Sequence, residues 1–261
     1  GGHASFPVCA AAKTLNIPFI IYENNIQIGK SNKYLLPFAF KIFVSYREVV
    51  GIKNKHDHKV IVTGNIIREE ILNFEKKKQL APEILNILVL GGSQAAKSFG
   101  ELLPGIFKQC LQKNIKIKIF QQCVELQTEN LNRIYKSLNL NFELFNFTNN
   151  ILEYFAKTEL AITRSGSSVT AELINCNIPF ITIPYPHATD SHQDKNATYF
   201  EKKGYSLSVK ETEVNEKLFF LIESFYKDKK LLKKIIEKQK NHSDKEVFSK
   251  INTVIESLKN E

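Results

Sequence analysis

The 261-residue sequence contains no methionine and no tryptophan, and it has only four cysteines. Cys9, Cys110, Cys123 and Cys176 stand at irregular spacings without a Cys-x-x-Cys pair, so they offer no metal-binding pair and favour a reducing cytoplasm. No apolar run approaches the roughly 20 residues that a membrane-spanning helix needs, and no secretory signal is visible. Since the sequence starts Gly-Gly-His without an initiating methionine, we expect an N-terminal portion to be missing.

What the sequence does contain describes a soluble globular chain with an excess of positive charge. Hydrophobic residues make up 43% and charged residues 24%, which suits one large or two medium-sized domains. A net charge of +9 favours an anionic partner such as a phosphate group, a membrane surface or nucleic acid. We expect no nucleic-acid partner, because no recognised binding module and no interleaving of aromatic and basic residues is present.

Apolar β segments alternate with helical segments along the chain, which predicts the α/β class with parallel sheets covered by helices on both faces. Strands are expected at 19–23, 41–46, 59–63, 86–90, 116–121, 141–147, 160–163, 180–183 and 205–209. Helices are expected at 7–16 and 31–38, and the tail 215–260 reads as two or three amphipathic helices.

A Gly-Asn pair at 64–65 interrupts this alternation, and a charged segment follows it. We therefore place a domain boundary near 66–68. The first domain would comprise 1–67, with 246–261 returning to it. The second would comprise 68–245, whose six predicted strands make a complete doubly wound unit.

The stretch 160–197 places three ligand-facing elements in one βαβα order. A buried strand ends in an Arg-Ser-Gly turn, and Ser167 and Ser168 then open a helix whose free N–H groups and dipole favour a phosphate. Glu172 lies one turn into that helix, and a second buried strand leads into a polar loop at the same sheet edge. That loop contains His187, Asp190, His192, Gln193 and Asn196. An ordinary strand-to-helix turn stays open as an alternative.

A second candidate phosphate loop follows the predicted strand at 86–90. Gly91 and Gly92 let a backbone approach an anion closely, and Ser93 adds a hydroxyl donor before a helix that is expected to begin near Ala95. The loop is neither the GxGxxG fingerprint nor a P-loop with its lysine, so a purely structural turn is equally open.

Polar side chains near these loops have several possible roles on residue chemistry alone. Glu172 could accept hydrogen bonds from the two hydroxyls of a ribose, or simply favour a helix N-terminus. The side-chain amides of Gln193 and Asn196 could recognise sugar hydroxyls, because an amide can both donate and accept hydrogen bonds. His187 and His192 could be metal ligands or a base, but without a supporting carboxylate pattern we favour solvated loop histidines.

Six ordered motifs carry a resemblance to a known family. They are GGHASFP at 1–7, YENN at 22–25, GNIIR at 64–68, GGSQ at 91–94, RSGSSVTAE at 164–172 and HQDKNA at 192–197. In order and spacing they resemble the MurG family, which transfers N-acetylglucosamine (GlcNAc) from UDP-GlcNAc to lipid I and so makes lipid II for peptidoglycan. The resemblance covers essentially the whole chain.

The resemblance implies the GT-B architecture, in which two Rossmann-like doubly wound parallel-sheet domains face each other across a cleft, the first being incomplete here. The acceptor would lie on the first domain and UDP-GlcNAc mostly on the second. The residues implied to contact the donor are Asn25, Arg68, Gly92, Ser93, Thr148, Ser167, Ser168, Val169, Thr170, Ala171, Glu172 and Gln193. Among these, Arg68 and Ser93 would lie near the diphosphate. Glu172 would hold the ribose and Gln193 the sugar, while the backbone of Thr148 would meet the uracil.

The chain departs from the family pattern at three places. It has YENN at 22–25 where HEQN is usual, and Ala95 where the glycine loop usually has a further glycine. The family's first glycine loop, GGTGGH, with the histidine proposed for catalysis, would lie upstream of residue 1, and we do not identify His3 with it. We therefore assign no catalytic residue. No metal or other cofactor is required, because no Asp-x-Asp-type pair is present and backbone amides with Arg68 could stabilise the leaving UDP.

A lipid-linked acceptor implies a peripheral enzyme at the cytoplasmic face of the inner membrane. Lys30, Lys33 and Lys41 flank the apolar segment 34–38, a pattern that suits an anionic bilayer surface. A buried helix with solvated lysine ends is the competing interpretation. Two functional alternatives stay open: another lipid-directed GT-B transferase for UDP-sugars, or, for this chain as a fragment, a UDP-sugar-binding module without catalysis.

Overall fold

The computed structural model of the chain describes residues 4–75 and 83–258, and within these ranges every side chain except those of 93–96 and 258. The strands in these ranges form two parallel sheets, one of three and one of six strands. The predicted α/β class with parallel sheets is confirmed. The residues 76–82, which include the Ala-Pro pair after the charged segment, lie outside the described part of the chain.

The first sheet is built by the N-terminal quarter of the chain. Its strands β1 (Ile20–Glu23), β2 (Lys41–Val44) and β3 (Val60–Val62) pair in that order. Helix α1 (Ser5–Thr14) precedes them, α2 (Lys30–Leu35) joins β1 to β2, and a 3₁₀ helix (Asn54–Lys59) precedes β3. Helix α2 is shorter than the predicted 31–38, because Pro37 has no N–H to donate to a continuing helix.

The second sheet follows a short helix, α3 (Glu69–Leu72). Its strands are β4 (Leu85–Leu90), β5 (Ile117–Gln122), β6 (Asn141–Phe145), β7 (Leu160–Thr163), β8 (Phe180–Thr182) and β9 (Ser206–Ser208). The connecting helices are α4 (Gly92–Gln112), α5 (Glu125–Ser137), α6 (Ile151–Lys157), α7 (Ser167–Asn175) and α8 (His192–Lys203). Three helices close the chain: α9 (Val214–Lys227), α10 (Lys229–Lys240) and α11 (Val247–Leu258).

The strand order of the second sheet is β6-β5-β4-β7-β8-β9. The order therefore reverses between β4 and β7, which gives the doubly wound arrangement with a topological switch point between these two strands. Every residue of β4 is buried, and alternate side chains enter the cores on opposite faces of the sheet. Ile87 and Val89 pack on one face, whereas Leu88 and Leu90 pack on the other.

A buried carboxylate joins the C-terminal segment to residues 64–65, where the chain crosses from the first sheet to the second. Asp244 is 2% exposed and accepts hydrogen bonds from the backbone N–H of Asn65 at 2.9 Å and from Asn175 Nδ2 at 2.7 Å. His242 Nε2 lies 3.0 Å from the same carboxylate. Gly64 has φ +100°, and a Cβ there would lie 2.6 Å from Asp244 Oδ1, so the crossing requires glycine at this point.

The domain limits proposed from the sequence, 1–67 with 246–261 and 68–245, remain a prediction. None of the helices in the described ranges has both the length and the hydropathy needed to span a bilayer.

Candidate functional site

A cavity of about 650 Å³ opens along the carboxyl edge of the second sheet. It spans the switch point between β4 and β7, where ligands bind in open α/β sheets. From the β6 end to the β8 end, it is lined by Phe147, Thr148, Ile151, Gln122, Gly91, Gly92, Arg164, Gly166, Ser167, Ser168, Val169, Glu172, Tyr185, His192 and Gln193, among others. Asn25, from the loop after β1 of the first sheet, completes the wall.

The start of α7 supplies unsatisfied backbone donors to the middle of this cavity. Gly166, the N-cap residue, is extended with φ −69° and ψ 137°, and no side chain caps the first turn. The first N–H groups of a helix have no partner within the helix, and they lie at the positive end of its dipole. Ser167 and Ser168 carry two of these groups and line the cavity, so this part of the wall can hold a phosphate.

The glycine loop after β4 faces the same space. Gly92 has φ +63°, and no atom lies within 4 Å of the Cβ that another residue would place there. The loop thus needs glycine for its backbone conformation rather than for lack of room. Gln122, at the end of β5, accepts a hydrogen bond from the Gly92 N–H at 3.1 Å. Helix α4 begins at Gly92, earlier than the predicted start near Ala95.

Glu172 projects into the cavity one turn beyond the start of α7, with 20% of its side chain exposed. Burial raises the pKa of its carboxyl group, and the nearby Arg68 guanidinium opposes part of that rise. The two side chains approach to 3.5 Å, and Arg68 also contacts Glu70 at 2.9 Å. Arg68 is therefore placed beside the cavity through Glu172, although it does not line the wall.

The β8 end of the cavity is rich in amides. The side-chain oxygen of Gln193 accepts a hydrogen bond from the Tyr185 N–H at 2.9 Å, which fixes the amide orientation and leaves its nitrogen to donate. Ser165 Oγ donates to the Gln193 carbonyl at 2.8 Å and so ties the loop after β7 to the start of α8. Asn25 approaches this end from the first sheet.

The cavity gathers most of the residues proposed from the sequence, but not all of them. Thr170 and Ala171 do not line it, because the helical period turns both side chains of α7 toward the interior. The Thr170 hydroxyl donates to the Gly166 carbonyl at 2.8 Å, and Ala171 packs in the core. Both side chains therefore face the interior, and the expectation that the stretch 167–171 lines the donor remains a prediction. The Ser93 side chain lies outside those that the structure describes.

The two loop histidines have different positions. His192 lines the cavity, and its Nδ1 lies 2.7 Å from the Thr189 carbonyl, which leaves Nε2 without the proton in the neutral ring. His187 is exposed and packs edge-on against Tyr185. Within the described ranges, no group of three or more His, Cys, Asp or Glu side chains is arranged to hold a metal ion. The expectation that no metal is required remains a prediction.

Sequence reasoning left several residues of the wall unassigned, and three of them bear most directly on the site. Arg164 is only 5% exposed, donates to the Ile183 carbonyl at 3.0 Å and to Ser98 Oγ at 2.7 Å, and pairs with Glu211. The sequence feature that could have identified Arg164 is the presence of a charged residue directly after a buried strand. The others are Gln122 and Phe147, and Phe147 is 77% exposed at the β6 end.

Comparison with known proteins gives a consistent family assignment. The family model "Glycosyltransferase family 28 C-terminal domain" matches residues 86–251. A protein of Pelagibacter ubique, named UDP-N-acetylglucosamine–N-acetylmuramyl-(pentapeptide) pyrophosphoryl-undecaprenol N-acetylglucosamine transferase, is 34% identical over 100% of this chain and 73% of its own length. A Rickettsia felis protein with the same name is 36% identical over 85% of this chain and 66% of its own length.

Two solved structures share the fold. The crystal structure of Acinetobacter baumannii MurG has a TM-score of 0.81 and 24% identity, and covers 98% of this chain and 73% of its own. The S. aureus MnaA–UDP structure has a TM-score of 0.70 and 13% identity, with 98% of this chain and 73% of its own covered. At these identities the likeness concerns the fold alone, which is the two-sheet GT-B arrangement.

Proposed function

The chain belongs to the MurG family of family 28 glycosyltransferases, and on that premise we propose that it transfers GlcNAc from UDP-GlcNAc to lipid I, forming lipid II. The observation that carries the proposal is the uncapped start of α7 at the middle of the cavity, between an aromatic end and an amide-rich end. Such an arrangement matches the order of a nucleotide diphosphate sugar: base, ribose, diphosphate and sugar.

The strand order supports one direction for the donor in the cavity. Uracil would lie at the β6 end, where the exposed ring of Phe147 offers a stacking face beside Thr148. The ribose hydroxyls would bond to Glu172, and the diphosphate would lie over the first turn of α7 and the Gly92 loop. GlcNAc would then reach the β8 end, beside Gln193 and Asn25.

In the proposed reaction, a hydroxyl of the lipid I sugar attacks the anomeric carbon of GlcNAc as the bond from that carbon to the diphosphate oxygen breaks. The configuration inverts, and a base accepts the proton of the attacking hydroxyl. Negative charge develops on the leaving UDP, where the α7 N–H groups and the helix dipole stabilise it, and Arg68 adds positive charge from beside the cavity. We assign no residue of this chain as the base.

The first-sheet side of the chain carries exposed apolar residues that suit a membrane surface. Tyr34 is 71% and Phe38 54% exposed, whereas Leu35 and Leu36 are buried at 3%, so only part of the predicted apolar segment is available. Lys13 Nζ lies 5.9 Å from the Phe38 ring. Further exposed apolar residues on this side are Phe6, Val8, Leu15, Ile17 and Phe40. We assign the chain to the cytoplasmic face of the inner membrane as a peripheral protein.

The membrane assignment predicts that exposed rings at this surface drive vesicle binding. Replacing Tyr34 and Phe38 together by Ser should lower co-sedimentation with vesicles containing phosphatidylglycerol several-fold, because apolar burial supplies part of the affinity. The pair Phe220→Ser and Leu126→Ser, exposed on helices of the second-sheet part, is the matched control. Equal loss with both pairs, or no loss with either, contradicts the assignment.

The transferase proposal is tested by following radiolabelled GlcNAc from UDP-GlcNAc into lipid products. Label in lipid II, with lipid I but not diacylglycerol as acceptor, supports the proposal. Label on diacylglycerol alone would instead support another lipid-directed transferase. Tight UDP-GlcNAc binding without transfer to either acceptor would indicate a donor-binding module. Absence of binding would reject all three hypotheses: the lipid I transferase, another lipid-directed transferase and the donor-binding module.

A further inference from the structure

A fully buried amide links the two sheets beside the sugar end of the cavity. Asn196, on α8, is 0% exposed and does not line the cavity. Its Oδ1 accepts from the Ile26 N–H at 3.0 Å, and its Nδ2 donates to the Ser165 carbonyl and to Asn25 Oδ1, each at 3.0 Å. Asn25 and Asn196 are 171 residues apart in sequence.

The orientation of the Asn196 amide is fixed by its backbone partners. A backbone N–H can only donate and a carbonyl can only accept, so the oxygen must face Ile26 and the nitrogen must face Ser165. The remaining hydrogen of the same nitrogen then points to Asn25 Oδ1. The orientation of the link is therefore set by main-chain groups of the loops that follow β1 and β7.

Asn25 is held from its other side by Glu23. The Glu23 carboxylate is 4% exposed and accepts from the Asn25 N–H at 3.0 Å and from Asn25 Nδ2 at 3.1 Å. Its second oxygen accepts from the Gly29 N–H at 2.9 Å and from Asn32 Nδ2 at 3.0 Å. A carboxylate without its proton only accepts, so the nitrogen of Asn25 must face Glu23 and the oxygen must face Asn196.

We propose that Asn196 is a positioning residue for the donor sugar: it holds the Asn25 side chain against the Ser165 loop, across the two sheets, and does not contact the ligand itself. The inference rests on the proposed function. Asn196 is on the helix that follows β8, whereas Phe147 and Thr148 follow β6 at the opposite side of the sheet. Disturbing Asn196 should therefore impair recognition of the sugar and leave the binding of the UDP part largely intact.

The substitution Asn196→Asp tests this with little change in shape. At pH 8 one carboxylate oxygen can still accept from Ile26, but the other faces the Ser165 carbonyl and Asn25 Oδ1 and cannot donate to either. Calorimetry on the purified chain should show about a tenfold loss of UDP-GlcNAc affinity, the size typical of one disrupted buried hydrogen bond. UDP affinity should change less than about twofold.

Two further variants separate positioning from general damage. Asn25→Ala should reproduce the loss for UDP-GlcNAc, and adding Asn196→Asp to it should cause little further loss, since residues that act through one another are not additive. Asn130→Asp, an exposed residue of α5, makes the same chemical change and should leave both affinities unchanged. Thermal melting checks that each variant is folded.

Three results overturn the inference. Asn196→Asp could leave UDP-GlcNAc affinity unchanged, could lower the affinities for UDP and UDP-GlcNAc equally, or could add fully to Asn25→Ala. If the unsubstituted chain binds UDP but not UDP-GlcNAc, or neither of them, the proposed function fails as well. Normal UDP-GlcNAc binding by the unsubstituted chain together with any of the first three results rejects the positioning role alone.

Discussion

The carboxylate of Glu172 offers a quantitative test of how the cavity recognises the ribose of a nucleotide. It lies one turn beyond the uncapped start of α7, where we propose that the diphosphate binds, and its side chain is 20% exposed. If the ribose binds there, its two hydroxyls donate to the carboxylate. Replacing Glu172 by Ala removes both hydrogen bonds and also the partner that Arg68 has at 3.5 Å.

The loss of UDP affinity expected for Glu172→Ala is the balance of opposing contributions. Each hydrogen bond to a charged group contributes about 1.5–3 kcal/mol. Burial already disfavours the charged carboxylate, as its raised pKa shows, so removing the charge recovers part of that cost. Arg68 keeps Glu70 as a partner at 2.9 Å, which limits the penalty on the guanidinium. A net loss of about 2–3 kcal/mol is expected, equivalent to roughly 30- to 150-fold in UDP affinity.

Calorimetry with UDP and 2′-deoxy-UDP makes the test specific to the ribose. The unsubstituted chain should prefer UDP by at least about tenfold, since the deoxy ligand lacks one hydrogen bond to a charged group. Glu172→Ala should bind both ligands equally, whereas Glu69→Gln, an exposed change on α3, should retain the preference. Undiminished UDP affinity in Glu172→Ala, or a preserved preference for the 2′-hydroxyl, would refute the ribose assignment.

Four further outcomes are expected. Phe147→Ala should weaken UDP several-fold without affecting inorganic diphosphate, and equal loss of both would remove its stacking role. When the pH is lowered, UDP affinity should begin to fall at a higher pH than the ordinary pKa of a glutamate would predict, because the pKa of Glu172 is raised and ribose binding needs its ionised carboxylate. Gly64→Ala should lower the melting temperature, with about 2 kcal/mol lost at its strained, crowded position; an unchanged melting temperature contradicts this. Burial raises the pKa of Asp244, but hydrogen bonds lower it overall, so the destabilisation by Asp244→Asn should be full above about pH 4 and shrink below it.

The sequence was sufficient for the parts of the site that follow from local order. A buried strand, a turn with glycine and a helix starting at Ser167 place free backbone N–H groups, which can hold a phosphate, at one sheet edge. This placement follows from the local sequence alone. The same applies to the glycine loop after β4, where Gly92 has the positive φ that its residue type permits. The central strands β4, β7 and β8 were predicted for the same reason, because burial on both faces produces continuous apolar runs.

Other parts depend on contacts between distant segments and could not be predicted in this way. The charge of Arg164 is tolerated in the interior because Glu211 lies beside it, 47 residues further along the chain. The pairing of Asn25 with Asn196 requires the two sheets to be docked. The rotation of α7, which faces Glu172 to the cavity and Ala171 to the core, is set by packing against the sheet rather than by the motif itself.

Hydrogen exchange of the purified chain with and without UDP-GlcNAc tests the central claim most directly, because it locates the bound ligand along the sequence. Binding in the cavity should slow exchange in 147–151, 164–172 and 185–193, where the α7 amides and the flanking loops line the wall. UDP alone should protect 147–151 and 164–172 and leave 185–193 much less protected. Protection elsewhere, or no protection at the start of α7 at saturating UDP-GlcNAc, would contradict the assignment of this cavity to the donor.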